Sequence, residues 1–544
     1  MGHIRRICAA AAIALAFSGC SRITGGYHNP SSSAAPGVLR IVGAGSMDSL
    51  IPELSGIESA TDAGMLWAGW LFLVNDKGEL EPDLATQVPT LRNGGISRDG
   101  LTLTYKLRRG VRWHDGAPFD ARDVIFSWRA VMNPANNVVT REGYDRIAAM
   151  TAPDPYTVRV KLKQPYAPAV ASFFGPSLAP MCILPQHILE RLADINHAAY
   201  NAKPVGTGPF IVQRYDPSSG LYLKANPHYW RGVPKLREIH YLLVPDPNTR
   251  TVMMRTGEAD LDYDPASGLL AQLAAIAHVR LLHTLFNEFW YLTFNEAHKP
   301  LDDVRMRRAV ALSLDRRYIV RNIMHDAAVP ANGDQPAYSW AYDPSVKAPP
   351  YDPAGAKRLL EQAGYVTAAD GYRHRNGNRL SFTFVYPVND ADAVRFAPVF
   401  QDAMRRVGIE VHTKGFVASV YYAAKSSGGI LNNGRFDIAY EGWVGGVDPD
   451  DSTLWTCAQR PPNGYNHSLM CDARVDAAEH LALTSYDRVV RRAAYTRIQR
   501  LLNDDVRVDF LYWTKRNDAV REAFGGYRPA PTVTTFWNSW EWSI

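Results

Sequence analysis

The chain of 544 residues is too long for a single hydrophobic core and indicates two to four domains. Its hydrophobic fraction of 46% and its charged fraction of 21% are typical of a globular protein. The formal charge is +5, but the Lys and Arg residues are scattered without a basic run, which argues against nucleic acid as a partner.

The N-terminus has the pattern of a targeting segment. Arg5 and Arg6 precede an apolar run over 7–17, which is too short to span a bilayer. The tetrad Phe17-Ser18-Gly19-Cys20 then resembles a lipobox, in which a signal peptidase cuts before the cysteine and the thiol carries diacylglycerol. We therefore predict a signal peptide over 1–19 and lipidation of Cys20.

The stretch over 20–37 is predicted to be the lipidated N-terminus and a flexible tether, because it is rich in Ser, Pro, Gly and Ala. No later segment approaches 18 uninterrupted apolar residues, so the remainder is expected to be soluble. We expect an exported protein, held on a membrane by its lipid and facing the periplasm or the cell exterior.

The first elements of the folded part follow from local patterns. Val38 to Val42 is a short apolar strand, and Asp62 to Leu73 has the composition of a helix. Leu101 to Leu107 is β-rich and ends at a turn. Trp113-His114-Asp115-Gly116 follows, and a helix is expected to begin at Asp120 or Ala121.

The His114-Asp115 pair could suggest catalysis, but a structural turn is the better interpretation, since Asp-Gly is a common turn dipeptide. The sequence contains no nucleophile elbow, HExxH, P-loop or C-x-x-C motif. We therefore expect no enzyme activity, no cofactor and no metal site.

The later elements alternate between strands and helices. Strands are predicted at 158–162, 289–295, 380–386 and 436–443, and Asp448-Pro449-Asp450 is predicted to form a turn after the last of them. Val304 to Arg321 has apolar residues at helical spacing. The arginines between 488 and 500 have helical spacing with apolar residues between them, which predicts the solvated face of an amphipathic helix.

The five cysteines suggest one disulfide. Cys8 lies in the signal peptide and Cys20 is the predicted anchor, which leaves three. Cys457 and Cys471 are 14 positions apart in a Pro/Gly/Asn-rich loop, and a disulfide there would stabilise the fold by ~3 kcal/mol in the chain-entropy model. Cys182, among apolar residues, is predicted to be a buried thiol.

Several motifs occur in a fixed order. They include LEPDLA from Leu80, the block Leu101 to Trp128, PVGTGPF from Pro204, NPHYWRG from Asn226 and PDPNT from Pro245. This ordered set, over about 38–540, resembles the family 5 extracellular solute-binding proteins. These are the peptide- and nickel-type receptors of bacterial ABC importers.

The resemblance implies an α/β fold of the periplasmic-binding-protein type (type II, cluster C), with two lobes, a hinge and three domains. Domain I would comprise 38–71, 205–294 and 510–544, domain II 72–204, and domain III 295–509. Two strands crossing between domains I and III would act as the hinge, and a ligand bound in the cleft would favour closure. The partners implied are a small solute or peptide and the transmembrane subunits of an ABC permease, with the protein itself a monomer.

The candidate ligand-binding residues lie in three loops. Trp443 matches a family tryptophan that lies in the cleft, although core packing at a strand end is an alternative. Asp448 is the most ambiguous candidate, because the predicted turn would also explain it. The full set is Glu58 and Ser59, then Tyr386, Asn389 and Asp390, then Trp443, Gly445, Gly446 and Asp448.

Two positions depart from the family pattern. Where dipeptide and oligopeptide receptors hold the α-ammonium with an Asp, this chain has Gly445 or Gly446, and where dipeptide receptors hold the carboxylate with an Arg, it has Asn389-Asp390. We therefore expect weak binding of free dipeptides, unless Glu58 or Asp390 replaces the lost carboxylate. A peptide or peptide-like solute is the leading prediction. A sugar-like solute, an opine, a metal complex, or a sensor or scaffold lipoprotein stay open.

Overall fold

A computed structural model describes residues 36–45, 47–175, 177, 180–533 and 535–544. The predicted signal peptide, Cys20 and most of the tether lie outside the described residues. Among the helices of the described part, none combines the length and the apolar character needed to cross a membrane.

The strands, in chain order, are β1 (Val38–Gly43), β2 (Phe72–Val74), β3 (Leu80–Pro82), β4 (Thr102–Lys106), β5 (Ile147–Asp154), β6 (Thr157–Leu162), β7 (Phe210–Asp216), β8 (Gly220–Ala225), β9 (Glu238–Leu243), β10 (Leu261–Asp262), β11 (Val279–Phe294), β12 (Ala328–Pro330), β13 (Val366–Thr367), β14 (Arg373–Arg375), β15 (Asn378–Arg379), β16 (Ser381–Pro387), β17 (Glu410–Phe416), β18 (Ile438–Val444) and β19 (Val508–Arg521).

The α-helices, in chain order, are α1 (Glu58–Trp67), α2 (Ala121–Met132), α3 (Ala169–Ser172), α4 (Gln186–Leu189), α5 (Pro247–Thr256), α6 (Leu270–Ala274), α7 (Val304–Leu312), α8 (Arg316–Asn322), α9 (Pro353–Gln362), α10 (Ala391–Arg406), α11 (Ala418–Tyr421), α12 (Ser452–Trp455), α13 (Ala473–Thr484) and α14 (Arg488–Asp504).

One large mixed sheet organises the fold. Its strand order is β17-β16-β18-β11-β19-β10-β1-β9-β8-β7, with β12 paired to β19. β1 is parallel to both neighbours, and so is β16, whereas β11 and β19 are antiparallel to each other. A separate antiparallel sheet, β4-β6-β5, forms the centre of a second packed region. This combination is the α/β arrangement expected for a periplasmic-binding-protein fold.

The buried apolar side chains gather into three regions. The first region contains Trp67 and Trp542, the second contains Trp113, and the third is built around β11, β16 and β18. Cys182, which is buried as predicted, belongs to the core of the first region, as do Leu184 and Tyr200.

The two longest strands connect the first region to the third. β11 and β19 pair from Val279–Arg521 at one end to Thr293–Val508 at the other. Val279 packs with the sheet of the first region, whereas Phe294 lies in the core of the third. The register shifts between Leu285 and Phe289, so the ladder is interrupted where the strands leave one region and enter the other. The predicted strand at 289–295 is thus the final part of a much longer one.

The motif around His114 is structural. Asp120 caps α2 and forms a capping box with Asp123, which confirms the predicted start of that helix. The His114 Nδ1 accepts from the Gly206 N–H at 3.1 Å, and Nε2 lies 3.0 Å from the Gly208 carbonyl oxygen, which fixes a neutral ring with its proton on Nε2. Burial lowers the His114 pKa to about 4. His114 therefore fastens the second region to the 204–210 segment.

The glycines of that segment are required by close packing. A Cβ on Gly206 would lie 1.9 Å from the Trp67 carbonyl oxygen, and the Gly208 N–H donates to that same oxygen at 3.0 Å. The backbone of 204–210 thus runs directly against the end of α1.

Two helix predictions need correction. The pattern over 304–321 forms two helices, α7 and α8, because the Asp315 carboxylate accepts from the Arg317 and Tyr318 N–H groups and starts a new helix. The helix expected over 62–73 begins earlier, at Glu58, and ends at Trp67, after which Phe72 enters a strand. A side-chain cap at Asp315 in the first case, and entry into a paired strand in the second, override the apolar periodicity.

Candidate ligand-binding cleft

A cavity of about 480 Å³ lies where the second and third regions face each other. Its volume falls within the usual range for small-molecule sites. Side chains and backbone from both regions form its walls. The second region contributes the segments 77–80 and 88–91 with Ala167, Val170 and Ala171, and the third contributes the segments 334–336, 338–340 and 445–451 with Trp443, Tyr486, Arg488 and Arg491.

Trp443 supplies much of the aromatic wall. It lies near the end of β18, opposite Phe289 of β11, and both residues line the cavity. The Tyr465 ring packs against the Trp443 indole at a centroid distance of 5.4 Å. The indole Nε1 is buried and has no hydrogen-bond partner among the described residues. A buried donor of this kind is satisfied when a ligand oxygen accepts from it.

Tyr465 is held in place by a loop that the structure closes with a disulfide. The Cys457 and Cys471 sulfurs are bonded, with a Cα–Cα distance of 4.6 Å. The same loop carries His467, whose Nδ1 lies 2.6 Å from a Glu441 carboxylate oxygen. The loop is therefore connected both to the face of Trp443 and to the strand that carries it.

Gly445 and Gly446 bring backbone groups to the cavity wall. The Gly445 N–H donates to the Asn287 carbonyl at 2.7 Å, and the Asn287 side-chain amide donates to the Gly446 carbonyl at 2.6 Å. A Cβ on Gly445 would lie 2.8 Å from the Asn287 amide nitrogen, so the close approach depends on glycine. At the place where the family pattern has a charged anchor, this chain has tightly fixed backbone.

Asp448 is neutralised by an arginine that sequence reasoning placed in solvent. Arg491 donates two hydrogen bonds to its carboxylate, at 2.9 and 2.5 Å, and the two side chains are only 9% and 10% exposed. The guanidinium also donates to the Ala482 carbonyl and the Tyr495 hydroxyl. Burial disfavours the charged form of Arg491, but the Asp448 carboxylate, together with Tyr495, outweighs this effect and raises the Arg491 pKa above its usual value. The prediction of a fully solvated arginine face on α14 was therefore wrong at this position.

Glu58 and Ser59 lie in the first turn of α1 and do not line the cavity. Glu58 forms an ion pair with Arg516 of β19, whose guanidinium lies 4.2 Å from the Phe286 ring centre. Ser59 is buried. The carboxylate of Glu58 therefore already has a cationic partner.

Tyr386, Asn389 and Asp390 also lie outside the cavity lining. Tyr386 is half-buried and stacks on Phe384. The Asn389 side chain accepts from the Ala418 N–H, and Asp390 caps α10 by accepting from the Asp392 and Ala393 N–H groups at 2.7 and 3.1 Å. These contacts are those of a strand-to-helix connection.

Glu58 and Asp390 nevertheless act on a common neighbour. Burial, with the charges of Glu58, Asp390 and Asp264 acting in the same direction, raises the pKa of Glu288 to about 7, against a hydrogen bond from Thr514. Glu288 precedes Phe289 on β11, so its side chain points to the opposite face of the strand from the cavity. A second, acidic zone therefore adjoins the hinge strands.

The two sides of the cleft contact each other directly. The Tyr486 hydroxyl, in the third region, lies 3.1 Å from the Gly100 and the Tyr166 carbonyl oxygens of the second region and accepts from the Tyr166 N–H at 3.3 Å. The Ala167 N–H donates to the Leu483 carbonyl at 2.7 Å. The structure is therefore a closed arrangement, in which the second and third regions contact each other beside the cavity.

Sequence reasoning thus located four cavity residues, namely Trp443, Gly445, Gly446 and Asp448, and missed others. Arg491 was missed because its helical spacing predicted a position on the solvated face of α14, whereas it is buried against Asp448. Asp450 and Asp451 follow the named loop directly and could have been found by extending it. Asp334 and Tyr486 belong to no motif, and only the fold brings them to the cavity.

The chain is similar to known proteins along most of its length. The family described as bacterial extracellular solute-binding proteins, family 5, middle, matches residues 79–465. Protein XP55 of Streptomyces lividans is 30% identical over 93% of this chain and 89% of its own length. Di/tripeptide-binding protein 2 of Pseudomonas aeruginosa is 28% identical over 84% of this chain and 87% of its own.

A solved structure extends the comparison to the fold. NikZ from Campylobacter jejuni, crystallised with Ni(L-His), covers 94% of this chain and 100% of its own with a TM-score of 0.77 at 25% identity. The overall fold, with its large mixed sheet, is thus shared with this solved structure. The family match covers more than half of the chain, and we conclude that this protein belongs to the family 5 bacterial extracellular solute-binding proteins.

Proposed function

We propose that the protein is the extracytoplasmic receptor of an ABC importer, which captures a peptide or peptide-like solute and delivers it to the permease. The observation that supports this most is the cavity of about 480 Å³ between the second and third regions, together with the two long strands that connect the first region to the third. A site that is completed only when the regions meet binds ligand and closes in one linked event. The likeness to a di/tripeptide-binding protein supports a peptide ligand.

The first and second regions would form one lobe and the third region the other. In this arrangement β11 and β19 act as the hinge, with the register shift near Phe289 as the point of bending. Trp443, Gly445 and Gly446 would contact the ligand directly, and Asp448 would hold the wall through Arg491. Glu58 and Asp390 would act through the acidic zone around Glu288.

Export and anchoring belong to the same proposal. Cys20 would carry the lipid, with the protein acting as a monomer near the permease. Two or more acyl chains give stable attachment, whereas one chain gives only marginal binding. A Cys20→Ala variant should therefore leave the membrane fraction and be recovered in the soluble exported fraction. Persistent membrane association of the variant would contradict anchoring at this residue.

The ligand proposal is tested by a binding screen on the chain beginning at Ser21. Thermal shift, followed by calorimetry, should be measured with dipeptides, tripeptides, longer peptides, oligosaccharides and nickel chelates. We expect stabilisation by peptides longer than two residues and little by free dipeptides, because the family's charged anchors are replaced by Gly445-Gly446 and Asn389-Asp390. Stabilisation by sugars or chelates alone would contradict the peptide proposal.

A further inference from the structure

One wall of the cavity is made of carboxyl groups that lack cationic partners. Asp334, Asp450 and Asp451 all line it. Asp334 and Asp451 are each 4% exposed, and Glu479, from α13, is fully buried beside them. Asp451 is hydrogen-bonded to both Asp334 and Glu479, so these carboxyl groups share protons with one another in the empty site. Carboxyl groups this close together ionise together only when a cation lies beside them.

The hydrogen bonds that do exist here are too few to balance the charge. Trp455 Nε1 donates to Asp334 at 3.1 Å, the Gln335 amide donates to Asp451 at 3.4 Å, and Ser452 donates twice to Asp450. All of these donors are neutral. Three cationic residues line the same cavity: Arg491 is engaged by both oxygens of Asp448, Arg488 lies over the Trp340 ring, and Lys77 belongs to the wall formed by the second region.

The remaining walls suit a flat or extended cation. Trp443, Phe289 and Trp340 line the same cavity, and aromatic faces attract guanidinium and ammonium groups. The Arg488 guanidinium already lies 4.9 Å from the Trp340 ring centre, which shows the preference of that ring. In the described ranges, no set of His, Cys, Asp and Glu side chains is arranged to hold a metal ion, so the complementary group is an organic cation.

We infer that the cavity receives a positively charged organic group of the ligand, a guanidinium or an alkylammonium, between the carboxyl groups of Asp334, Asp450 and Asp451 and the aromatic wall. This inference rests on the proposed function and names the class of its ligand: a peptide or peptide-like solute with a basic side chain. The cation takes the place of the protons that the crowded carboxyl groups hold in the empty site.

The protonation of the empty site follows from its surroundings. Burial raises the pKa of Asp334, Asp451 and Glu479, and the mutual repulsion of their charges adds to the effect for Asp451 and Glu479. Burial also raises the pKa of Asp450, as does the charge of Asp448. A bound cation favours the ionised carboxylates, so binding releases protons and becomes tighter as the pH rises.

Other titratable groups face this cluster and bear on the pH profile. Asp476 on α13 raises the pKa of Glu479, and Arg491 lowers that of Asp450. Tyr495 on α14 is buried and stays neutral, because its pKa is raised well above the usual value. From the second region, Glu142 approaches Asp450, whose charge raises the Glu142 pKa. Apart from Arg491, these neighbours are acidic or neutral and leave the need for a cation in place.

The test uses matched charged and neutral probes on the chain beginning at Ser21. Tripeptides and tetrapeptides with one arginine are compared by calorimetry with their citrulline counterparts, and agmatine is compared with butylurea. We expect the charged member of each pair to bind at least roughly tenfold tighter. This factor corresponds to the low end of the coupling energies of close, buried charge pairs. The heat of binding should differ between phosphate and Tris buffers at pH 7 in the direction of proton release.

Two variants locate the effect. Asp451→Asn should remove most of the preference for the charged probe, whereas the control Glu190→Gln, an exposed carboxylate outside the cavity lining, should keep it. Asp450→Asn, at a more exposed position, replaces Asp451→Asn if that protein does not fold. Equal binding of charged and neutral probes, or an equal loss in the Glu190→Gln control, would overturn the inference. Binding of agmatine without any peptide would preserve the inference and refute the peptide proposal.

Discussion

The ion pair between Arg491 and Asp448 gives the most quantitative prediction. Replacing Arg491 with Met keeps much of the side-chain volume but leaves the Asp448 carboxylate buried, 10% exposed, without a partner. Breaking a buried pair in this way costs about 3–5 kcal/mol, because the remaining charge is uncompensated. The lost hydrogen bonds to the Ala482 carbonyl and the Tyr495 hydroxyl contribute within that range.

The assay is urea denaturation of the chain beginning at Ser21 at neutral pH, followed by fluorescence and circular dichroism. Agreement of both probes is needed, since a chain with several cores does not have to unfold in two states.

The double variant Arg491→Met with Asp448→Asn is the control. It removes both charges and should recover a large part of the stability lost in the single variant, because no buried charge remains. A loss below ~1 kcal/mol in Arg491→Met, or an equal loss in the double variant, would refute the view that this pair stabilises the cavity wall.

Three further results are expected. Trp443→Ala should weaken ligand affinity by ~2–4 kcal/mol, since a buried aromatic anchor is lost, and calorimetry showing unchanged affinity in a folded variant would return the residue to core packing. Tyr486→Phe removes hydrogen bonds across the cleft, so the closed form should be less populated and ligand affinity should fall roughly fivefold. Unchanged affinity, together with an unchanged distance between spin labels on the two lobes, would contradict this prediction. Because Cys182 is buried, the chain beginning at Ser21 is denatured without reductant before alkylation; only Cys182 should then be modified, as measured by intact mass, and three modified thiols would exclude the Cys457–Cys471 disulfide in the isolated protein.

Local signals predicted the elements of the fold well where capping or sheet pairing agreed with apolar periodicity. Asp120 starts α2 as expected, and the strand predicted from Val38 is β1. The prediction failed where long-range contacts decide. β11 begins at Val279 because it pairs along most of its length with β19, which lies more than 200 positions away in the sequence.

The site was predictable only in part for the same reason. Trp443 lies near the end of β18, and Gly445 and Gly446 follow that strand directly, so the sequence alone could place the three residues together. Arg491 and Asp334 come from elements that are distant in the sequence. Neither periodicity nor composition indicates that Arg491 pairs with Asp448 or that Asp334 lies at the cavity. Glu58 and Asp390 were chosen by type and position, but the structure gives them an arginine and a helix N-terminus as partners.

The central claim is that this protein captures a peptide-like solute in the cavity between its two lobes. The most direct measurement is mass spectrometry of the small molecules released when the purified, exported protein is denatured, with the Trp443→Ala variant processed in parallel. The account predicts peptides of three or more residues, enriched in arginine or lysine, from the wild-type protein and far less from the variant. Release of a sugar, an opine or a metal chelate, or of equal amounts of peptide from both proteins, would contradict it.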